Sequence, residues 1–157
     1  MEHCMEQRIR LGVPGDLETL FGIERDNMRA LVNKHMPGRW SDWLCRVQIA
    51  ERLDQNRVWV LEGKQGTIGY YYIGVRPGEP ACVYLDSIQV VTGQQGRGKG
   101  TRLMAHFLDE AKRSGFSEAV LEVFPENPAI RLYDRFGFRV VEKTGRAITM
   151  RKELGRR

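Results

Sequence analysis

The sequence predicts one α+β domain, in which a mixed, mostly antiparallel sheet of about seven strands combines with about four helices. Short alternating or apolar segments recur along the chain, and amphipathic segments with helical spacing separate some of them. A strand, a glycine loop, a helix and another strand follow one another over 81–124, which predicts a right-handed β-α-β unit with parallel strands. The length of 157 residues, 41% of them hydrophobic, suits a single domain over 1–157.

The first half of the chain predicts a strand, two helices and a hairpin. Polar and apolar residues alternate over 7–13, which favours a strand. Asp16 and Ser41 are candidate N-caps for helices over 16–32 and 41–54. Strands at 58–61 and 67–75, joined by a glycine-containing turn, form the expected antiparallel hairpin.

The second half predicts the remaining four strands and two helices. A long strand over 81–91 precedes the glycine loop, and an amphipathic helix from Thr101 to Gly115 follows it. A strand over 118–124 comes next, then a helix with Asn127 as N-cap and Pro128 in its first turn. Strands over 138–142 and 147–150 form a closing hairpin.

The glycine loop over 94–101 is the most informative stretch of the sequence. Gly96, Gly98 and Gly100 alternate with other residues directly before a helix. Such glycines allow backbone N–H groups to converge, and the positive end of the helix dipole favours an anion. The sequence therefore predicts a phosphate-binding loop, with an unspecialised flexible loop as the alternative.

Residue types separate the known phosphate loops. The nucleoside-triphosphate pattern G-x-x-x-x-G-K-[ST] fails because Gly100 stands where a hydroxyl is required, and the dinucleotide pattern G-x-G-x-x-G fails as well. The pattern [Gln/Arg]-x-x-G-x-[Gly/Ala] is filled by Gln95, Gly98 and Gly100. In this pattern the loop resembles the pyrophosphate loop of the GNAT superfamily, the acetyl-CoA-dependent N-acyltransferases.

A second motif extends the resemblance. The segment 127–138, NPAIRLYDRFGF, is similar to the second GNAT signature, with its Asn, Ala-Ile, Leu-Tyr and closing Gly-Phe. The similarity is close over 81–154, while over 7–80 only the order of elements agrees. The chain departs from the family pattern by having one residue fewer between Asn127 and Tyr133.

The resemblance implies an N-acetyltransferase with a GNAT-like fold, which moves an acetyl group from the cosubstrate acetyl-CoA to a primary amine by direct attack in a ternary complex. It implies an acceptor-side half over 6–80 and an acetyl-CoA-binding half over 81–154. It also implies that main-chain groups of Ile88, Gln89 and Val90 contact the pantetheine arm. Asn127 is either a further contact to that arm or only an N-cap. The residues expected to hold the pyrophosphate are Gln95, Gly96, Arg97, Gly98, Lys99, Gly100 and Thr101.

Acetyl transfer needs an acid for the departing thiolate and a base for the amine. Tyr133 stands where the family usually has its general acid. Glu122, on the strand after the helix, and Asp86, on the strand before the loop, are the two candidate bases, and a water chain is the third option. A base at Glu122 would be partly buried beside the gap that holds the cosubstrate.

Several classes of function receive no support from the sequence. The three cysteines and three histidines form no metal-ligand pattern, so we expect no metal. The net charge of +5 is too diffuse to indicate nucleic acid. The absence of a long apolar run, and of an apolar signal in residues 1–6, favours a cytoplasmic location without a membrane contact.

Other features leave alternatives open. A non-catalytic acyl-CoA-binding module and a nucleotide-binding protein are the rival functions, and a homodimer through an edge strand is an option. Trp40 and Trp43 either pack on the core or line an acceptor pocket. The acceptor itself is left open among small amines, antibiotics, amino acids, peptide N-termini and lysine side chains.

Overall fold

A computed structural model describes residues 7–155. The expectations drawn from residues 1–6, including the compartment, lie outside the described residues. The described elements, in chain order, are β1 (Arg8–Leu11), α1 (Leu17–His35), α2 (Asp42–Asp54), β2 (Val58–Gly63), β3 (Gly66–Arg76), β4 (Glu79–Val90), α3 (Lys99–Arg113), β5 (Glu118–Val123), α4 (Ile130–Arg135), β6 (Arg139–Lys143) and β7 (Ile148–Glu153).

The seven strands form one sheet in the order β1-β2-β3-β4-β5-β7-β6. The β4–β5 pair is parallel, and all other neighbours are antiparallel. Helix α3 connects the two parallel strands, as the β-α-β prediction requires. The predicted fold class is therefore confirmed.

The sheet has an apolar core on each face. One core places side chains of β4 and β5 against α3 and includes Leu103, Phe107 and Leu121. The other places β2 and β3 against α1 and α2. Tyr70 and Tyr72 belong to this second core and Tyr71 to the first, because successive side chains of a strand point to opposite faces.

The helix starts differ in detail from the predictions. Ser41 caps α2 as expected, since its hydroxyl accepts the N–H of Leu44 at 3.1 Å. Asp16 precedes α1, but its carboxylate accepts the N–H of Val13 at 2.8 Å and pairs with Arg10, so it is not the side-chain cap. Helix α3 begins at Lys99, before the predicted Thr101.

Candidate active site

Strands β4 and β5 separate after a short paired region. They pair only at Cys82–Glu118, Val83–Ala119 and Tyr84–Val120. Beyond this point β4 remains paired with β3 as far as Val90, and β5 remains paired with β7 as far as Val123. A gap therefore opens between the two parallel strands toward their carboxyl ends.

A β-bulge at Asp86 marks the start of this gap. Tyr72 pairs with Ser87 and Ile73 with Leu85, so Asp86 is the extra residue in β4. Its Oδ2 accepts from Arg52 at 3.3 Å and its Oδ1 from Arg76 at 3.0 Å. A bulge bends its strand and increases the local twist, and this one lies two residues beyond the last β4–β5 pair, at Tyr84.

The gap opens into a cavity of about 300 Å³ between α1, β4, β5 and α4. Its polar lining contains three carboxylic acids, a serine, a tyrosine and two amides. None of the lining residues is a lysine, an arginine or a histidine. The lining residues are Glu24, Met28, Leu85, Asp86, Ser87, Ile88, Gln89, Glu122, Val123, Phe124, Asn127, Tyr133 and Ala147.

The glycine loop follows β4 and leads into α3. Gly96 and Gly98 have φ of 78° and 79°, a left-handed conformation that suits glycine. In the described part of the chain, the main-chain N–H groups over 96–101 have no hydrogen-bond acceptor, and the first bond of the helix is from Arg102 to Gly98 at 3.1 Å. Unpaired donors at the positive end of a helix form an anion-binding site.

Three side chains of the loop form hydrogen bonds with the rest of the protein. Gln95 donates to the main-chain oxygen of Val90 at 3.1 Å, and Lys99 donates to Gln7 at 2.9 Å. The Thr101 hydroxyl accepts from Arg135 at 3.4 Å, while Arg97 is exposed. Gly100 lies in the first turn of α3, where an added Cβ would be 3.3 Å from Leu132.

The end of β4 provides main-chain groups beside the gap. Ile88 and Gln89 pair with Tyr71 and Tyr70 of β3 and also line the cavity. The main-chain oxygen of Val90 accepts from Asn27 at 2.9 Å as well as from Gln95. Val90 was one of the three residues predicted to contact the pantetheine arm, and its main-chain oxygen is therefore already hydrogen-bonded within the protein.

Tyr133 lies in α4 with only 6% of its surface exposed. Its ring lines the cavity and packs edge-on against the ring of Phe138, with 6.2 Å between the two ring centroids. Burial raises the pKa of its hydroxyl, and this hydroxyl has no hydrogen-bond partner among residues 7–155. A protonated phenol without a protein partner can donate to a molecule in the cavity.

The two predicted bases differ in their surroundings. Glu122 lines the cavity but is exposed, so the expectation of partial burial is wrong. It is exposed because it lies past the paired part of β4 and β5. Asp86 also lines the cavity, yet both of its oxygens already accept from guanidinium groups, which leaves it poorly placed to take a proton.

Glu24 of α1 is a candidate that the sequence reasoning missed. It is partly buried at the cavity wall, where its carboxylate accepts from the hydroxyl of Tyr70 and from that of Ser87 at 2.9 Å. Burial raises the pKa of Glu24, and the two hydrogen bonds oppose that shift. The signal was present, because Glu24 follows Leu20 and Phe21 at helical spacing and thus falls on the buried face of α1.

Comparison with known proteins identifies the family. A model of the acetyltransferase (GNAT) family matches residues 17–138. The chain belongs to this family. No curated protein matches the acetyltransferase in a search of sequences.

Solved structures share the fold of this acetyltransferase. The PaiA N-acetyltransferase from Thermoplasma acidophilum, in complex with coenzyme A, is 18% identical with a TM-score of 0.76, over 95% of this chain and 99% of that one. A phosphinothricin acetyltransferase from Sinorhizobium meliloti, in complex with acetyl-CoA, is 21% identical with a TM-score of 0.77. The match covers 96% of this chain and 90% of that one. The ribosomal-protein-S18-alanine N-acetyltransferase from Escherichia coli is 24% identical with a TM-score of 0.73, over 94% of both chains.

Asn127 of the acetyltransferase lines the cavity but does not cap α4 directly. Its side-chain oxygen accepts the N–H of Ala129 at 2.9 Å, and the helix begins one residue later at Ile130. The predicted N-cap position is therefore wrong by two residues. The cause is a turn between β5 and α4 that the side chain of Asn127 closes.

The tryptophans of the acetyltransferase do not line the cavity. Trp40 packs against the core on the α1 face, which is the first of its two predicted roles, core packing rather than lining an acceptor pocket. Trp43 is 72% exposed, so core packing is wrong for this residue. Among residues 7–155 there is no helix long and apolar enough to cross a membrane, and no metal-ligand cluster of histidine, cysteine or carboxylate side chains.

Proposed function

We propose that this acetyltransferase moves an acetyl group from acetyl-CoA to a primary amine by direct attack in a ternary complex. One observation carries the proposal: β4 separates from β5 beside a cavity and then leads into a loop of unpaired N–H groups. An extended thioester cosubstrate with a pyrophosphate needs both features in this order. We assign residues 6–80 to the acceptor side and 81–154 to the cosubstrate side.

The residues of the loop fit the pyrophosphate of acetyl-CoA. Main-chain donors over 96–101 bind its oxygens, with the exposed Arg97 adding charge. Ile88 and Gln89 border the gap, where their main-chain groups bind the pantetheine arm, and the side-chain amide of Asn127 faces the same cavity. Coenzyme A or acetyl-CoA is bound in related folds, which supports this assignment.

Bound acetyl-CoA supplies a thioester that an amine attacks, with a thiolate as the leaving group. Tyr133 is placed to act as the general acid. The hydroxyl is protonated at neutral pH, as a phenol with a pKa of about 10 or higher must be, and it is not engaged by any described residue. It can therefore give its proton to the departing sulfur.

Glu24 is our choice for the general base. A base works best when its pKa is near the working pH, and burial moves the pKa of Glu24 upward. The hydroxyls of Tyr70 and Ser87 hold its carboxylate in place. Glu122, at the exposed side of the cavity, is the second candidate base, and Asp86 is the third because two arginines already bind it.

Calorimetry and a thiol-release assay test the proposal together. We expect CoA and acetyl-CoA to bind to the protein, Mg·ATP not to bind, and thiol release from acetyl-CoA to require an amine. Binding of acetyl-CoA without thiol release across a broad amine panel would instead support a non-catalytic acyl-CoA-binding module. Binding of Mg·ATP but not of CoA would contradict the assignment of the loop.

A further inference from the structure

We propose that the acceptor is an alkyl diamine or polyamine, an amine on an apolar chain that carries a second positive charge and no carboxylate. The inference rests on the proposed function and names the substrate class of the same cavity. It depends on the charge of the lining, on its apolar part and on the two walls that hold the carboxylic acids.

The lining is acidic, and within residues 7–155 only one of its three carboxyl groups is paired with a cation. Glu24, Asp86 and Glu122 contribute three carboxyl groups, and no lining residue is basic. Arg52 and Arg76 neutralise Asp86. At the end of α1, Lys34 pairs with Glu126, and Nε2 of His35 lies 3.0 Å from an oxygen of the same carboxylate without an aligned hydrogen bond.

The two remaining carboxyl groups lie on different walls. Glu24 comes from α1 and Glu122 from β5. Ala119, Leu121 and Val123 belong to the core on the α3 face, so the alternation along a strand places Glu122 on the face that carries α1. Glu122 forms no hydrogen bond or ion pair with any residue over 7–155, and its charge is available to a ligand.

The rest of the lining fits an alkyl chain. Apolar side chains line the same cavity: Met28 of α1, Leu85 and Ile88 of β4, Val123 of β5, Phe124 and Ala147. Methylene groups can be buried there, while an ammonium group at each end meets a carboxylate.

A separate observation indicates that the cavity receives a ligand. Tyr133 lines the cavity with only 6% of its surface exposed, and its hydroxyl has no hydrogen-bond partner among residues 7–155. A polar group on a side chain this buried normally has a partner. The hydroxyl is therefore available to a ligand in the cavity, which the acidic groups alone would not indicate.

Acceptors with an anion beside the amine fit less well. The carboxylate of an amino acid would enter a cavity that offers it no cation and holds Glu122 and Glu24. Like charges and an unpaired buried charge both weaken binding. The geometry thus discriminates against free amino acids within the classes that the sequence left open.

Three matched amines test the proposal: 1,4-diaminobutane, 1-aminobutane, which lacks the second charge, and 2,5-diaminopentanoate, which adds a carboxylate. We expect kcat/KM for the diamine to exceed that of each other amine by about tenfold or more. Calorimetry on the CoA-saturated protein should show the same order of affinity. Equal values within about twofold, or a preference for either comparison amine, would overturn the proposal.

Substitution of Glu122 tests the assigned contact. In Glu122→Gln, the ratio of kcat/KM for diamine over monoamine should fall by about tenfold, and the diamine should bind more weakly. Glu153→Gln removes an equal charge at the opposite end of the β5–β7 ladder and should keep the ratio. An unchanged ratio in Glu122→Gln would overturn the contact, even if both rates fall as they would on loss of a base.

The outcomes separate this inference from the proposed function. Suppose that acetyl-CoA binds and releases its thiol with another class of amine but not with the three alkyl amines. The proposed acceptor class is then wrong, and the acetyltransferase function stands. If CoA and acetyl-CoA fail to bind, the proposed function itself is wrong.

Discussion

At the scale of single residues, the cavity brings together an acid and a base that burial affects in the same direction. The pKa of Tyr133 and that of Glu24 are both raised by desolvation. For the carboxylic acid this means a better proton acceptor near neutral pH. The phenol is already protonated at its ordinary pKa of about 10, so for Tyr133 the shift adds no donating power, and its role as an acid rests on its position at the cavity.

Loss of the Tyr133 hydroxyl should slow turnover without weakening cosubstrate binding. We expect Tyr133→Phe to lower kcat by roughly 10²-fold, the lower end for loss of general-acid catalysis, because the ring and its contact with Phe138 are retained. Steady-state kinetics and CoA calorimetry measure both effects. An unchanged kcat in conditions where chemistry limits the rate would make Tyr133 a packing residue.

Loss of the Glu24 carboxylate should remove the acidic limb of the pH profile. With 1-aminobutane as acceptor, wild-type kcat/KM should fall as pH drops through the raised pKa of Glu24, and Glu24→Gln should be slower by roughly 10²-fold and lack that limb. Glu122→Gln and Asp86→Asn serve as matched comparisons that keep the limb. If the acidic limb disappeared in Glu122→Gln instead, the base would lie on β5. If it disappeared in Asp86→Asn, the base would lie on β4.

The same residue should leave a signature in stability. With a folded pKa above its ordinary 4.5, Glu24 binds more protons in the folded chain than in the unfolded one. Its contribution to the free energy of unfolding is thus full below pH 4.5 and is lost as pH rises through the folded pKa. Urea unfolding should show the stability of the wild type, relative to Glu24→Gln, decreasing as pH rises. A relative stability that increases with pH would contradict the burial of this carboxyl.

At the scale of elements, the bulge in β4 lies where the site opens. Asp86 is better explained as the residue that fixes this bulge than as a base, since Arg52 of α2 and Arg76 of β3 both bind it. Gly74 of β3 leaves the space for its carboxylate, because a Cβ there would be 2.3 Å from Oδ2. Two elements, α2 and β3, thus hold β4 in its bulged conformation at Asp86.

Filling that space should destabilise the protein. Gly74→Ala would displace the Asp86 carboxylate from its arginines, and we expect a loss of about 1–3 kcal/mol in urea unfolding, as for overpacked cores. Gly22→Ala is the control, since nothing lies within 4 Å of its added Cβ in α1 and alanine favours a helix. Equal stability of the two variants would show that the carboxylate can move without cost.

At the scale of the whole molecule, the sequence predicted the architecture better than the chemistry. Strand alternation, the caps and the glycine loop are local patterns, so the β-α-β unit and the seven strands could be predicted from them. The bulge at Asp86 depends on arginines from two other elements. No local pattern contains such contacts.

The same distinction between local patterns and tertiary contacts applies to the site residues. Tyr133 was predicted through a motif, and the structure places it at the cavity. The helical spacing of Glu24 with Leu20 and Phe21 indicated its burial, but only the packing of α1 against β3 and β4 brings it to Tyr70 and Ser87. The exposure of Glu122 follows from the separation of β4 and β5, which is likewise a tertiary feature.

The central claim is that the chain binds the pyrophosphate of acetyl-CoA through main-chain donors of the glycine loop. Gly98 and Gly78 have φ of 79° and 83° with open space around an added Cβ, but Gly78 lies in the β3–β4 turn. Alanine at either position carries a similar backbone penalty of about 1–2 kcal/mol. Only at Gly98 does the altered backbone aim the donors of the loop.

Calorimetric titration of CoA into wild type, Gly98→Ala and Gly78→Ala tests this claim most directly, with the folded state of each variant verified by circular dichroism. We expect Gly98→Ala to weaken binding by about tenfold or more, or about 1.4 kcal/mol, and Gly78→Ala to bind like the wild type. A folded Gly98→Ala protein that binds CoA with wild-type affinity would contradict the claim.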